Sequence, residues 1–344
     1  MPEGKAQNPY RLLIFEPGKK YELPLVLNPR KLAEEKQSIL LPGHRMCAGC
    51  AAPVVVKLLS FAIRGPTIVV NATGCLEVAT TIFPYTSWAV PWLHVAFENA
   101  ASAASGVEAA IKALKKSGRL PYDHVDVVAI GGDGGTFDIG FQALSGMAER
   151  GHDIMYVLYD NEAYMNTGIQ RSGGTPPFAW TTTSPVGKVL PGKTQWKKPI
   201  ADIMVAHRIP YVATASPAYW VDAVQKFRKG LEVDGPSFIH VISSCNRGWR
   251  FDTSLSIEVT RRAVDTCYFP LWEYVLGKGY FLTARSLQIA RKPELKQPIE
   301  KFLEAQGRFR HLLKPENREL VKKLQEYVDA VWEDLLERAV NAPR

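Results

Sequence analysis

Gly131-Gly132-Asp133-Gly134-Gly135 and Asp160-Asn161-Glu162-Ala163-Tyr164-Met165-Asn166 are the two stretches that predict the fold of this chain. Each follows an apolar, β-branched run, residues 125–130 and 154–159, which is typical of a buried strand. Residues 138–150 lie between them and predict a helix. Because a strand–helix–strand unit makes its two strands parallel, both stretches should emerge at the carboxyl edge of one sheet, where open α/β sheets bind ligands.

The two stretches also predict a site for a cation and phosphates. Asn161 lies 28 residues after Asp133, about the length of one βαβ unit. The Asp133 carboxylate, the Asn161 amide oxygen and the Ala163 carbonyl are hard ligands that suit a magnesium ion holding phosphates. Glycines let backbone N–H groups approach a pyrophosphate. A plain glycine-rich turn followed by an Asp-Asn turn is the alternative, and the pairing on two strand ends argues against it.

The composition predicts a globular protein without a membrane span. The 344 residues are 46% hydrophobic, enough for one large domain or two ordinary ones. No uncharged run of 18 apolar residues occurs, and the N-terminus lacks the apolar core of a signal peptide, so we expect a cytoplasmic protein. The net charge of +8 predicts a basic solvated surface or attraction to an acidic electron carrier or coenzyme phosphates. No nucleic-acid motif is present.

Four of the five cysteines are predicted to meet at the same sheet edge. Cys47 and Cys50 precede an apolar helix, and Cys75 and Cys245 each follow a buried strand. Strand ends and helix starts lie on one edge of a parallel sheet. Four thiolates from three segments can hold a [4Fe–4S] cluster, whereas zinc more often uses two Cys-x-x-Cys knuckles, of which only one is present. Cys267 falls outside this group.

Residues 131–170 resemble the β subunit of pyruvate:ferredoxin oxidoreductase and its 2-oxoacid relatives, which are thiamine diphosphate enzymes. The GDG tripeptide followed by an asparagine loop is similar to their diphosphate-binding motif. The resemblance implies a doubly wound, mostly parallel α/β sheet of the thiamine-diphosphate-binding type. Residues 42–255 would bind the cofactor and a [4Fe–4S] cluster, between an N-terminal arm at 1–41 and a C-terminal helical extension at 256–344.

The resemblance also implies a set of site residues. Asn166 matches an asparagine near the reactive carbon of the cofactor and is the catalytic candidate. The magnesium ligands would be Asp133, Asn161 and the Ala163 carbonyl. Cluster ligands would be Cys47, Cys50, Cys75 and Cys245. The thiamine diphosphate contacts would be Ala52, Cys75, Gly132, Asp133, Gly134, Gly135, Asn161, Glu162, Ala163, Tyr164, Met165 and Asn166.

Two positions depart from the family pattern. Many relatives have glutamate where Ala52 stands, which argues against a polar cofactor contact there. Relatives often read Cys-Pro-x-Gly-Trp where this chain has Cys245-Asn246-Arg247-Gly248-Trp249-Arg250. The additional Arg247 and Arg250 would tune the potential of a nearby cluster or meet an anionic group. This departure weakens the assignment of pyruvate as the substrate.

The activity implied by the resemblance is the coenzyme A-dependent oxidative decarboxylation of a 2-oxoacid in anaerobic metabolism. Electrons would pass through the [4Fe–4S] cluster to ferredoxin or a similar acceptor, and pyruvate, phenylglyoxylate, oxalate and branched 2-oxoacids are the candidate substrates. Family members assemble with an α subunit that completes the thiamine site and with γ and ferredoxin-like δ subunits. The glutamate that contacts the aminopyrimidine comes from another subunit, and it is not assigned to Glu77, Glu98 or Glu162 here.

Two alternatives explain only part of the sequence. A non-redox thiamine enzyme, such as a decarboxylase or carboligase, would leave the four cysteines without a role. A non-catalytic zinc-binding α/β subunit would leave the magnesium-type motif without one. Residues 172–198, which follow the second motif, are too long and irregular for a simple connection and predict a functional loop.

Overall fold

The computed structural model describes residues 38–343 together with residues 28 and 30. The predicted N-terminal arm therefore lies mostly outside the described residues. Its last residues are tied to the body, since the Leu41 amide donates to the Ser87 carbonyl over 2.8 Å. Within the described part of the chain, no helix is both long and apolar enough to cross a membrane.

An eight-stranded sheet forms the centre of the molecule. Its strands are β1 (Thr67–Ala72), β2 (Trp92–Val95), β3 (Asp126–Gly132), β4 (Met155–Asp160), β5 (Tyr211–Ala215), β6 (Ser237–Ile242), β7 (Trp272–Val275) and β8 (Gly279–Leu282). They stand in the order β2-β1-β3-β4-β6-β5-β7-β8. The first six in that order are parallel, and β7 and β8 are antiparallel additions beside β5.

Helices cover both faces of the sheet. They are α1 (Ala52–Ala62), α2 (Cys75–Thr80), α3 (Ala100–Lys116), α4 (Phe141–Glu149), α5 (Ile200–Ala206), α6 (Trp220–Glu232), α7 (Asn246–Trp249), α8 (Ser256–Asp265), α9 (Ala284–Arg291), α10 (Glu300–Leu303) and α11 (Arg318–Arg338). One apolar cluster joins α1 and α6 to the sheet, and a second joins α3, α4, α5 and α11. The predicted doubly wound α/β fold is confirmed.

The central strand–helix–strand unit has the predicted form. All six side chains of β4 are buried, as are the first six of β3, because both strands are covered by helices on two faces. The strands pair in parallel, with Gly132 opposite Tyr159. Asp133 and Asn161 thus leave neighbouring strands at the same edge of the sheet.

The start of the crossover differs from the prediction of one helix over 138–150. A single wide turn of π-helix, Gly134–Ile139, precedes α4. A Cβ atom on Gly140 would lie 2.2 Å from the Gly135 carbonyl oxygen. Any side chain at this position would therefore clash with the backbone, and the turn requires glycine there. π-Helical turns of this kind occur frequently at functional sites.

The C-terminal segment is mostly helical, as predicted, but it also contains β7 and β8. A sequence signal for this hairpin exists, because aromatic residues alternate along residues 272–282 around Gly277 and Gly279. Both glycines have positive φ, as tight turns require. α11 ends the segment near its predicted position and buries Leu324, Val328 and Trp332 against the body.

Candidate functional site

The carboxylate of Asp133 lies at the end of β3 and is 1% exposed. The Ser172 hydroxyl donates to its Oδ2 atom. Burial raises the pKa of Asp133 well above its usual value, and the negative charge of Asp160 raises it further. A buried carboxyl group of this kind ionises readily only when a positive charge lies beside it.

Asn161 brings a second ligand atom to Asp133. One terminal atom of its amide lies 2.9 Å from Asp133 Oδ1 and 2.8 Å from the Ala163 carbonyl oxygen. With the amide nitrogen in that place, the amide donates to both oxygens. With the amide oxygen there, three oxygens face one another, and a cation between them is needed to hold them together.

The spacing of these three atoms fits magnesium. Octahedral Mg²⁺ binds oxygen at 2.0–2.1 Å, which places adjacent ligand oxygens about 3 Å apart. The predicted set of Asp133, Asn161 and Ala163 therefore has both the donor chemistry and the spacing for this ion. The neighbouring strand ends position the first two of them.

The glycines after Asp133 make room for aromatic side chains. A Cβ atom on Gly134 would lie 2.3 Å from the Tyr164 ring, and one on Gly135 would lie 2.9 Å from the Phe97 carbonyl oxygen. The Tyr164 hydroxyl donates to the Gly134 carbonyl over 3.1 Å. Tyr164, predicted as a cofactor contact, thus also holds the glycine loop in place.

The four predicted cysteines come together beside this site. The Cys-x-x-Cys turn is closed by a bond of 3.0 Å from the Cys50 amide to the Cys47 carbonyl. The next amide, that of Ala51, donates over 3.1 Å to the Ser244 carbonyl, one residue before Cys245. Backbone bonds therefore connect the first cysteine segment to the last.

The pKa values of the thiols reflect this proximity. Burial raises the pKa of Cys50 to about 12, and the thiols of Cys245, Cys75 and Cys47 add to the rise. Burial likewise raises the pKa of Cys75 to about 11, with further contributions from Cys245 and from the Asp133 carboxylate. The sulfur and oxygen groups are thus close enough to affect one another's charge.

Cys267 lies elsewhere, buried in the C-terminal part of the core. Among the residues that the structure describes, no three Cys, His, Asp or Glu side chains are grouped as ligands of one metal ion. The four cysteine thiols thus influence one another's pKa without forming a three-ligand group for one ion in the described part of the chain.

The remaining predicted contacts are distributed around the same edge. Ala52 is buried at the first position of α1, and its backbone opposes the rise in the pKa of Cys50. Asn166 is exposed, and its side chain opposes the rise in the pKa of Cys75. Met165 packs against Gly248 of α7, where a Cβ atom would lie 2.2 Å from its sulfur. Gly132 is the last residue of β3.

Sequence reasoning missed a buried network of charges behind Asn161. Lys197 Nζ lies 2.6 Å from Asp160 Oδ2 and 2.7 Å from Glu162 Oε1. His240 Nε2 is 2.7 Å from Asp160 Oδ2. Although burial alone would raise the pKa of Asp160, Lys197 and His240 lower it to about 2. Asp160 is therefore ionised, whereas burial favours the protonated form of the neighbouring Asp133.

Glu162, predicted as a cofactor contact, is a member of this network. Its carboxylate accepts from Arg308 over 2.5 Å, from Lys197 over 2.7 Å and from the Tyr268 hydroxyl over 2.6 Å. Its backbone adopts φ 68°. Protein groups occupy both carboxylate oxygens, so any part of Glu162 in cofactor binding would use its main chain.

No local sequence signal identifies these partners. Arg308 lies 146 residues after Glu162, and Lys197 lies 35 residues after it in the long loop. Trp249 is likewise a partner that no local signal identifies. Its Nε1 donates to the Asn161 carbonyl over 2.7 Å. The predicted functional loop contributes through Ser172 and Lys197, two polar residues that were not singled out.

Comparison with known proteins identifies related chains. Residues 72–241 match the family model described as "Thiamine pyrophosphate enzyme, C-terminal TPP binding domain". The chain is 51% identical to pyruvate synthase subunit PorB of Thermotoga maritima, over 90% of this chain and 96% of the relative. It is 51% identical to the PorB subunit of Methanocaldococcus jannaschii, over 86% and 95%.

A relative named for a different substrate also matches. Ketoisovalerate oxidoreductase subunit VorB of Pyrococcus abyssi is 43% identical over 89% of this chain and 95% of the relative. Among solved structures, the 2-oxoglutarate:ferredoxin oxidoreductase of Magnetococcus marinus is similar, with a TM-score of 0.50 and 21% identity over 70% of this chain and 84% of that one. At that identity the structural match supports the fold alone.

Proposed function

Because the chain belongs to the β-subunit family of the 2-oxoacid:ferredoxin oxidoreductases, we propose that its complex oxidises pyruvate with coenzyme A. The products are acetyl-CoA, carbon dioxide, one proton and two electrons. The electrons pass through a [4Fe–4S] cluster held by this subunit to ferredoxin or a similar acceptor. The four gathered cysteines beside the oxygen ligands of Asp133 and Asn161 carry this proposal.

Thiamine diphosphate would be held through magnesium by Asp133, Asn161 and the Ala163 carbonyl. Its diphosphate would meet the backbone amides of the glycine loop, Gly132 to Gly135. When bound, this cofactor supplies an electron sink for decarboxylation of a 2-oxoacid. The residues of the chain position it: Ser172 orients the Asp133 carboxylate, and a bound cation stabilises the ionised form of that group.

A [4Fe–4S] cluster would be held by Cys47, Cys50, Cys75 and Cys245, and it supplies a one-electron acceptor. Backbone amides already point at these sulfurs. The Gly248 amide donates to Cys245 over 3.3 Å, and the Ala52 backbone opposes the rise in the pKa of Cys50. Such donors stabilise thiolates and raise the potential of a bound cluster.

The zinc alternative has less support. Structural zinc sites more often use two Cys-x-x-Cys knuckles, and this chain has one, Cys47 and Cys50. We assign to Asn166 the catalytic role of orienting reactants, because it is an exposed polar residue at the end of the asparagine loop that follows β4.

A branched 2-oxoacid is the second candidate substrate, since a ketoisovalerate oxidoreductase subunit is 43% identical to this chain. The purified complex should therefore be assayed anaerobically with coenzyme A and each of pyruvate, 3-methyl-2-oxobutanoate, phenylglyoxylate and oxalate. Released carbon dioxide, the acyl-CoA product and reduced ferredoxin are measured together. We expect the highest kcat/KM with pyruvate, and a higher value with the branched acid would overturn that assignment.

Metal analysis of the same preparation tests the cofactor assignment. Iron with labile sulfide and an iron–sulfur spectrum supports the cluster, whereas zinc without iron contradicts it. We also expect the isolated chain to bind thiamine diphosphate weakly and to oxidise no 2-oxoacid. The aminopyrimidine half of the site is assigned to the α subunit, so activity and cofactor affinity should rise together when that subunit is added.

A further inference from the structure

A basic pocket lies on the surface that adjoins the Cys245 segment. It has a volume of about 300 Å³, and its lining residues are Trp180, Val186, Arg250, Gly307, Arg308, Arg310, His311 and Lys314. Five of these eight residues are basic or histidine, and none is acidic. These eight residues form the basic pocket.

Two of its arginines have no acidic partner within the described chain. The guanidinium of Arg250 lies 3.6 Å from the centre of the Trp180 ring, and Arg250 and Arg310 are both exposed. No ion pair joins either of them to a carboxylate of the described residues. Arg308 differs, because it is buried and bound to Glu162 over 2.5 Å. The exposed Arg250 and Arg310 therefore carry positive charge that no carboxylate in the described part of the chain balances, whereas the charge of the buried Arg308 is balanced by Glu162.

The pocket is built by backbone contacts between distant segments. The Gly307 amide donates to the Arg250 carbonyl over 3.0 Å, and the Trp180 amide donates to the Arg308 carbonyl over 3.1 Å. A Cβ atom on Gly307 would lie 2.8 Å from that of Arg250. Arg250 itself has φ 60°, the left-handed conformation that ends α7. These contacts hold the arginine in one place over the indole ring.

We propose that the basic pocket binds the phosphate groups of a small organic phosphate. Guanidinium groups match phosphate oxygens with paired N–H donors, and stacking on Trp180 restricts the position of the Arg250 guanidinium, which lines the pocket. A volume of 300 Å³ suits part of a small ligand.

The identity of this ligand rests on the proposed function. Among its reactants, coenzyme A carries phosphate groups and has to approach the catalytic edge, whereas the 2-oxoacid carries none. Arg250 stands five residues after Cys245 and next to Trp249, which bonds to the Asn161 carbonyl. The pocket is therefore connected through one short helix to the oxygen ligand site, and we assign it to the phosphates of coenzyme A.

Binding is measured on the holo complex saturated with thiamine diphosphate, so that the glycine loop is occupied. The probes are pyrophosphate and coenzyme A, titrated by calorimetry. Arg310→Ala and Arg250→Ala should each raise the Kd of both probes about tenfold, as loss of a charged hydrogen bond predicts. Arg291→Ala is the matched control, since Arg291 is an exposed arginine at the end of α9, and it should change neither Kd.

Steady-state kinetics then separate binding from chemistry. The KM for coenzyme A should rise about tenfold in both variants while kcat stays unchanged, because the phosphates contribute equally to ground and transition states. If Arg250→Ala lowers folding yield because it packs on Trp180, the exposed Arg310→Ala still decides the result. In the wild-type complex, pyrophosphate should inhibit competitively against coenzyme A.

The outcomes separate two claims, that the pocket binds phosphate groups and that these groups belong to coenzyme A. Unchanged Kd values for pyrophosphate in both variants overturn the phosphate site. Weakened pyrophosphate binding with an unchanged KM for coenzyme A retains the site and overturns the assignment of its ligand. A raised KM for ferredoxin with unchanged pyrophosphate binding overturns the proposal in favour of an acidic protein. The pyrophosphate titration needs no turnover, so it remains decisive if the complex oxidises no 2-oxoacid.

Discussion

The oxygen side and the sulfur side of the catalytic edge are built in different ways. On the oxygen side, Asp133 and Asn161 leave adjacent buried strands, and Ser172 fixes the carboxylate. On the sulfur side, the cysteines come from a turn, a helix start and a short loop, and Cys47 is exposed. The oxygen side is held by strands and buried charges, whereas the segments of the sulfur side are joined by backbone hydrogen bonds between loops, such as that from Ala51 to Ser244.

The geometry of the two sides therefore depends to different degrees on their bound ligands. A preorganised site keeps its geometry because surrounding residues lock each ligand in place. A site gathered from separate segments gains much of its order from the bound metal. We therefore expect substitutions on the oxygen side to remove the cofactor alone and substitutions on the sulfur side to disturb both the cluster and its neighbouring loops.

The largest effect is expected for Asp133→Ala. It should abolish the binding of thiamine diphosphate and magnesium, because it removes the only carboxylate of the predicted ligand set, and it should leave the iron content unchanged. Cofactor content and iron are measured on the same anaerobic preparation. Asp123→Ala, at an exposed aspartate, serves as the control, and cofactor retained by the Asp133 variant would refute the magnesium assignment.

Cys245→Ser should lower the iron content and weaken the iron–sulfur spectrum, since it replaces one of four predicted thiolates. Cys267→Ser should do neither, because that cysteine is buried in the core away from the other four. Iron and sulfide are determined after anaerobic purification. Equal iron in the Cys245 variant and the wild type would show that the sulfur side does not hold the cluster.

The Lys197→Met variant tests how much the buried ion pairs of the oxygen side contribute to the free energy of unfolding. It leaves Asp160 and Glu162 with one fewer cation, and breaking a buried ion pair costs about 3–5 kcal/mol of unfolding free energy. Urea unfolding measures the loss. The control is Lys322→Met, whose pair with Glu326 is exposed and 3.9 Å long, so its loss should cost less than about 1 kcal/mol.

The smallest effect concerns Lys193, whose ammonium donates to the Thr175 carbonyl over 2.5 Å and thereby supports the loop that carries Ser172. Burial lowers the pKa of Lys193 to about 8. Because the unfolded lysine titrates near 10.4, the unfolded state binds more protons between pH 8 and 10, and Lys193 stabilises the fold increasingly as pH rises through that window.

The unfolding free energy of the wild type, measured relative to that of Lys193→Met, should therefore grow by about 2 kcal/mol from pH 8 to pH 10. Denaturant titrations at several pH values measure it. Taking the difference between the two proteins removes the contribution of other titrating groups. A difference that stays constant across this range would show that Lys193 has an ordinary pKa.

The prediction from sequence succeeded where the signal was local and periodic. The apolar run at residues 154–159 agrees with β4 within one residue, because such β-branched runs are typical of buried parallel strands. The π-helical turn at Gly134 was missed, since it depends on the close approach of Gly140 to another backbone. β7 and β8 were missed because each has only four residues.

The order of strands and helices around the two motifs could be predicted from the sequence, and the rule for parallel crossovers then placed Asp133 beside Asn161. The sequence also indicated which cysteines follow strands. Only the tertiary structure decided the partners of Glu162 and the assembly of the basic pocket, where Arg250 meets residues 307–314. Such contacts join segments that are far apart in the chain, and they depend on side-chain packing and charge, which leave no periodic pattern in the sequence.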